Sequence, residues 1–202
     1  MTQTAVQEQE LRAAKAALRK AMAARRRGLD PARARMDSEA SVQAILELQA
    51  FRTARVVCCY LATPGEVETD AILACAWAGG KTVLVPVFAS ERGDYGLCEL
   101  AADTPLATGA WGIREPVVRR WLPAASVDLA VVPGVAFDAS GGRLGRGRGY
   151  YDRLLLSVRP DTVKVGLAFA FQIVASVPAG EHDVRMDVVA AGSVVYRPGE
   201  QS

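Results

Sequence analysis

Histidine occurs once in the 202 residues, as His182, so the chain cannot assemble a multi-histidine zinc centre. The four cysteines, Cys58, Cys59, Cys75 and Cys98, include no C-x-x-C pair that could replace one. Transition-metal catalysis is therefore not expected. Cys58 and Cys59 fall inside an apolar run, where free thiols are commonly buried, and a reduced cytoplasmic protein is the expectation. An excess of charge is missing too: the formal net charge is +2, too little for bulk electrostatics to demand a nucleic-acid partner. The first residues, Met1–Glu10, are polar and lack the apolar stretch of a secretory signal or a membrane span. Neither a nucleic acid nor a membrane is expected as a partner, and the chain is read as a monomer.

What the chain does have is apolar material for one core. Half of its residues are hydrophobic and 23% are charged, and 202 residues suit a single domain, 1–202, better than two. From Glu8 to Arg27, Leu11, Ala14, Leu18 and Met22 recur at helical spacing. Gly28 then acts as a stop, and Asp30 and Pro31 supply the N-cap and first residue of a second helix reaching about Ala50. An N-terminal helical hairpin is predicted. Further on, β-branched runs at residues 55–61, 82–88, 127–132 and 162–169, flanked by Gly and Pro, read as strands buried on both faces, with a helix over 67–78. The class is α/β: three layers, a mainly parallel sheet flanked by helices. Between 89 and 123 the pattern is irregular, with an edge strand at 95–100.

The densest information lies in VPGVAFDASGGRLGRGRGYYDRLLL, Val132 to Leu156. It leaves a strand and enters a helix, a crossing that in an open α/β sheet lies at the ligand-binding carboxyl edge. Gly141, Gly142, Gly145, Gly147 and Gly149 let backbone approach an anion closely, and Arg143, Arg146 and Arg148 add guanidinium groups that suit phosphate oxygens. A polyphosphate fits. A solvated surface loop is about as common a meaning for such composition, but the apolar flanks and the following Tyr150, Tyr151 and Asp152 favour a site. The segment is not a P-loop, because Arg148 and Gly149 stand where Lys and Ser or Thr belong, and Tyr150 breaks a G-x-G-x-x-G.

RLGRGRGYYD preceded by PGVAFD closely resembles the signature of the 5-formyltetrahydrofolate cyclo-ligase family, and the likeness extends across nearly the whole chain. The resemblance implies a NagB/RpiA/CoA-transferase-like fold. It implies ATP binding by Lys15 and Arg19 of KAALR, and by Arg143, Leu144, Gly145, Arg146, Gly147, Arg148, Gly149, Tyr150 and Tyr151. Folate contacts are implied for Leu61 and Glu66 of YLATPGEVET, for Trp111 of AWGIREP, and for Arg146, Gly147, Arg148, Gly149 and Tyr150. Arg148 and Tyr151 are the implied catalytic residues. Asp152, with Asp183 of EHDVRMD, is the implied Mg2+ site. Where the family commonly has lysine in this loop, the chain has Arg148, which keeps the charge but not the compact geometry.

In the implied reaction the formyl oxygen of 5-formyltetrahydrofolate attacks the γ-phosphate of ATP. N10 then closes the ring on the phosphorylated iminium, and phosphate, ADP and methenyltetrahydrofolate result. Such chemistry asks a protein for positioning and charge neutralisation, with no activated nucleophile. Two other readings compete. A sugar-phosphate isomerase or acyl transferase of similar fold would need an acid/base pair that cannot be placed. A nucleic-acid module would use the basic first helix and the Arg/Gly loop, and steep salt dependence of binding would reveal it. Without the family likeness, Lys15 and Arg19 would read as a solvated basic face, Trp111 as packing, Glu66 as a turn residue and His182 as a loop-orienting residue.

Overall fold

The computed structural model describes residues 3–109 and 112–199. Helix α1 spans Gln3–Arg27 and ends as foreseen, with the Gly28 N–H donating to the Arg25 carbonyl at 3.2 Å. Asp30 caps α2 (Pro31–Glu47) by accepting from the Arg33 N–H at 2.9 Å, and Pro31 occupies the first turn. The second helix does not run unbroken to Ala50. Leu48 is extended, and α3 (Gln49–Thr53) follows it, a break that lets both Leu48 and Phe51 enter the core.

Strands β1 (Val56–Cys59), β2 (Thr82–Ala89) and β3 (Asp94–Glu99) are followed by the hairpin β4 (Leu106–Thr108) and β5 (Arg114–Pro116) and by β6 (Trp121–Leu122). Next come β7 (Leu129–Val132), β8 (Ala136–Asp138), β9 (Arg143–Leu144), β10 (Val163–Ala168), β11 (Ile173–Val174), β12 (Val188–Ala191) and β13 (Val194–Tyr196). Two more helices complete the order: α4 (Asp70–Ala78), which starts later than the predicted residue 67, and α5 (Tyr150–Leu156).

The large sheet has eight strands in the order β13-β12-β10-β7-β1-β2-β3-β6, and its five central strands, β12 to β2, run parallel. The strand expected at an edge, β3, lies inside. It pairs antiparallel with β2 through Phe88 and Tyr95, and with β6 through Cys98 and Trp121. The edge falls instead to β6, whose two residues are too short to read from sequence. At the opposite side β12 and β13 extend the sheet from a stretch the sequence left unassigned.

Side chains alternate across the sheet. Val57 and Cys59 point into a cluster with Ile45, Phe51, Ile72 and Ala76 under α2, α3 and α4. Cys58 points the other way, to Leu84, Phe137, Leu154 and Met186 near α5. Both cysteines are core, as expected. Helix α1 packs elsewhere: Leu18 and Met22 sit with Ala136, Leu144 and Val177 on the small sheet β11-β8-β9. From β1 the chain moves through α4 to β2 on one side, then returns to β7 on the other and continues to β10 and β12. A crevice opens where such paths diverge, at the carboxyl ends of β1 and β7.

Candidate active site

A cleft of about 610 Å³ occupies that crevice. After β1, Tyr60 and Leu61 lead into Thr63-Pro64-Gly65-Glu66. Gly65 has φ +85° and the Glu66 N–H donates to the Thr63 carbonyl at 3.0 Å, the pattern of a tight turn with Pro second and Gly third. The turn folds Glu66 back: its Oε2 accepts from the Thr63 N–H and Oγ1 at 3.0 and 2.9 Å. Its Oε1 takes the Arg146 guanidinium at 2.7 Å. Glu66 is thus both a turn residue and a cleft residue.

On the opposite wall the apolar stripe of α1 fixes which way its basic residues point. With Met22 buried and Leu18 partly buried, Arg12, Lys15 and Arg19 face the cleft. Lys15 Nζ lies 2.5 Å from Asp183 Oδ2, which also accepts from the Gly180 N–H. Burial works to raise the Asp183 carboxyl. The Gly180 N–H, the Lys15 ammonium and the nearby Arg143 outweigh it and hold the group below the usual carboxylate range. Arg19 donates through Nε to the Gly145 carbonyl at 2.9 Å and lies under Gly147, where φ is +101° and an added Cβ would come within 3.3 Å of its guanidinium carbon. Glycine there admits the guanidinium beside the loop.

Arg143 is almost wholly buried, its side chain 2% exposed, and it pairs with Asp152 at 2.6 Å. Its Nε has no hydrogen-bond partner among the described residues. Asp152 also accepts weakly from the Val184 N–H, at 3.4 Å, so its carboxylate touches the backbone next to Asp183. Aromatic rings close the remaining wall. Tyr95 of β3 lies 5.2 Å from Tyr150 and 5.7 Å from Tyr151, and Phe88 5.5 Å from Tyr150, centroid to centroid. Arg153 anchors the assembly through two bonds to Asp94, 2.6 and 3.2 Å, and stacks over Tyr150. Burial pushes the Tyr151 phenol well above its ordinary value, with Cys58 and Tyr95 acting in the same direction. It therefore remains a proton donor at neutral pH.

The residues expected from sequence converge here. Lys15, Arg19, Leu61, Glu66, the run from Arg143 to Asp152, and Asp183 all line this cleft. Trp111 lies outside the described residues. Sequence reading missed Arg12, Tyr60, Thr63 and Tyr95. Arg12 was detectable, since it stands three residues before Lys15 on the same helical face. Tyr95 was not, because only the β3 pairing brings it to Tyr150. No group of three or more His, Cys, Asp or Glu suited to a metal occurs among the described residues. Asp152 and Asp183 give two hard oxygen donors, which suits Mg2+, an ion that takes few carboxylates and completes its shell with water and phosphate.

A model of the 5-formyltetrahydrofolate cyclo-ligase family matches residues 11–192. The chain belongs to that family. A probable 5-formyltetrahydrofolate cyclo-ligase of Caenorhabditis elegans is 34% identical over 164 residues, covering 75% of this chain and 80% of the relative. The 5-formyltetrahydrofolate cyclo-ligase of Mus musculus is 30% identical over 189 residues, covering 87% and 92%. Among solved structures, Aquifex aeolicus 5,10-methenyltetrahydrofolate synthetase superposes with a TM-score of 0.81 at 33% identity, over 93% of this chain and 94% of that one. The cleft is accordingly the candidate active site of a cyclo-ligase.

Proposed function

We infer that the chain converts 5-formyltetrahydrofolate to 5,10-methenyltetrahydrofolate with ATP, releasing ADP and phosphate, as a ligase of one-carbon folate metabolism. One observation carries the assignment of residues: a single cleft joins a cationic glycine loop to a wall of aromatic rings and the Glu66 carboxylate. Its volume, about 610 Å³, is that of a pocket for small molecules. The phosphate side is the stretch from Arg143 to Tyr151 with Lys15 and Arg19. The folate side is Leu61, Glu66 and Trp111 together with Arg146, Gly147, Arg148, Gly149 and Tyr150. The two sides share a loop, so both reactants meet over it.

Three ion pairs cross this junction: Lys15 with Asp183, Arg143 with Asp152, and Arg146 with Glu66. Each joins a residue assigned to ATP with one assigned to the metal or to folate. When bound, Mg2+ would be held by Asp152 and Asp183 and would neutralise phosphate charge. Arg148 and Tyr151 take the catalytic roles. Arg148 offsets charge on the transferring phosphoryl group, and Tyr151, held protonated, donates a hydrogen bond to an oxygen there. Oriented in this way, the formyl oxygen attacks phosphorus, and N10 then attacks the formyl carbon as phosphate departs.

We also read residues 1–202 as one NagB/RpiA/CoA-transferase-like domain, opened by a helical hairpin. Its free thiols support a reducing compartment such as the cytoplasm, and its near-neutral charge supports work on small molecules without nucleic acid; we read the chain as a monomer. Among the described residues no helix is long and apolar enough to cross a membrane. The assignment is tested by following absorbance of the methenyl product. Product should form only with both ATP and a divalent cation present, and undiminished turnover without ATP would refute the coupling.

Lys15→Ala and Arg19→Ala offer a second test. Each should raise the KM for ATP about tenfold, the equivalent of roughly 1.4 kcal/mol of lost binding, with a much smaller change for folate. Circular dichroism should show an intact fold. Equal effects on both substrates would remove these residues from the phosphate side.

A further inference from the structure

The basic stripe on α1 does not stop at Arg19. Arg26, two turns further along the helix, is half-buried, and its stem lies against the backbone of Gly65 in the Pro64-Gly65 turn. A Cβ added to Gly65 would stand 3.2 Å from Arg26 Cδ and 3.5 Å from Nη1. Here φ is +85°, a backbone conformation that itself favours glycine. Burial lowers the Arg26 pKa, the Arg146 guanidinium lowers it further, and the Glu66 carboxylate opposes both. Arg146 is thus the ion-pair partner of Glu66, while Arg26 acts on the same carboxylate only through its nearby charge. They are placed differently: Arg146 has a 60% exposed side chain and reaches Glu66 from the glycine loop, whereas Arg26 comes from α1 and packs on the turn itself.

We propose that Arg26 is a positioning residue for the folate side of the cleft: it seats the Thr63–Glu66 turn and keeps Glu66 in a positive field when Arg146 moves to the nucleotide. Arg146 is assigned to both substrates, and the proposal has it release Glu66 when it turns to the nucleotide. Thr63 N–H and Oγ1 hold Glu66 Oε2 locally, but they supply no formal charge. Arg26 supplies it from outside the cleft lining. In this way the helix that meets the nucleotide through Lys15 and Arg19 also sets the folate carboxylate.

The inference rests on the reading that folate lies beside Glu66, and the experiment separates the two. Arg26→Ala should raise the KM for 5-formyltetrahydrofolate about tenfold, while kcat and the KM for ATP change by less than about twofold. Arg26→Lys, which keeps stem and charge, should recover much of the loss. Gly65→Ala pushes a methyl onto the Arg26 stem and strains the turn at φ +85°, so it should raise the folate KM, and Arg26→Ala with Gly65→Ala should be less than multiplicative because the clash is removed while the strain stays. Glu66→Gln is measured in parallel. A raised folate KM for Glu66→Gln with a normal one for Arg26→Ala overturns the Arg26 proposal alone. An unchanged folate KM for Glu66→Gln overturns the folate placement and the proposal with it. Equal changes for both substrates in Arg26→Ala would mean that Arg26 is structural only.

Discussion

Asp152→Asn is expected to lower turnover by roughly two orders of magnitude, the scale of several kcal/mol of lost charge stabilisation on a transferring phosphoryl group. Folding should suffer as well. Arg143 is 2% exposed in its side chain, its Nε is unpartnered among the described residues, and Asp152 is its ion-pair partner at 2.6 Å. Breaking a fully buried pair costs about 3–5 kcal/mol. Asp152 keeps 21% exposure and asparagine still accepts a hydrogen bond, so about 2 kcal/mol is expected here. Asp183→Asn should lose comparable activity at a lower stability cost, about 1 kcal/mol, because its partner Lys15 retains some access to water. Raised Mg2+ should restore part of the turnover in both variants. The measurements are initial rates across a magnesium series and urea unfolding midpoints. Normal activity of both variants at low Mg2+ would remove these carboxylates from the metal site.

The separation between these two aspartates could not be read from sequence. Either residue could have been a helix cap or a turn residue, and the identity of each cation partner depends on contacts between distant segments. What was legible rested on local rules. The spacing of Leu18 and Met22 marked the buried face of α1 and so the side from which Lys15 and Arg19 project. Pro64-Gly65 marked Glu66 as a turn residue, and Asp30-Pro31 marked a helix start. Apolar runs such as VVCC and LAVV identified β1 and β7, because central parallel strands are buried on both faces; β12, equally buried, was not identified. Edges and insertions followed no such rule. The edge strands β6 and β13 have two and three residues, too short for periodicity to speak. β3 resembled an edge because its neighbour on the far side comes from an irregular stretch. Arg19 offered its charge to the reading, yet its hydrogen bond to the Gly145 carbonyl links residues 126 apart in the chain.

Asp138→Ala should be the most destabilising single change near the site, by roughly 3–5 kcal/mol, although Asp138 does not line the cleft. The residue is 3% exposed at the end of β8. Its Oδ1 accepts from the Ser140 N–H at 2.9 Å, the Ser140 hydroxyl at 2.7 Å and the Gly142 N–H at 2.8 Å, and its Oδ2 accepts from the Val177 N–H at 2.7 Å. Alanine leaves these donors unpaired, each at about 1–3 kcal/mol when buried, with sharing and relaxation reducing the sum. Position 142 has to be glycine for the same reason, since a Cβ there would lie 2.4 Å from Asp138 Oδ2. Burial acts to raise the Asp138 carboxyl, but the Ser140 hydroxyl and the three N–H groups outweigh it and hold it below the usual range. A depressed folded pKa contributes stability that is complete above the unfolded value, about 3.9, and is lost as pH falls through the folded one. The deficit of Asp138→Ala relative to the natural chain should thus be constant from neutral pH down to about 5 and shrink below about 4. The loop from Ser140 to Gly142 leads directly into Arg143, so the folded variant should also show a raised KM for ATP. Urea midpoints across pH decide the matter: a variant as stable as the natural chain at pH 7, or a deficit that grows as pH falls below 4, would mean that the carboxylate does not accept these bonds as an anion.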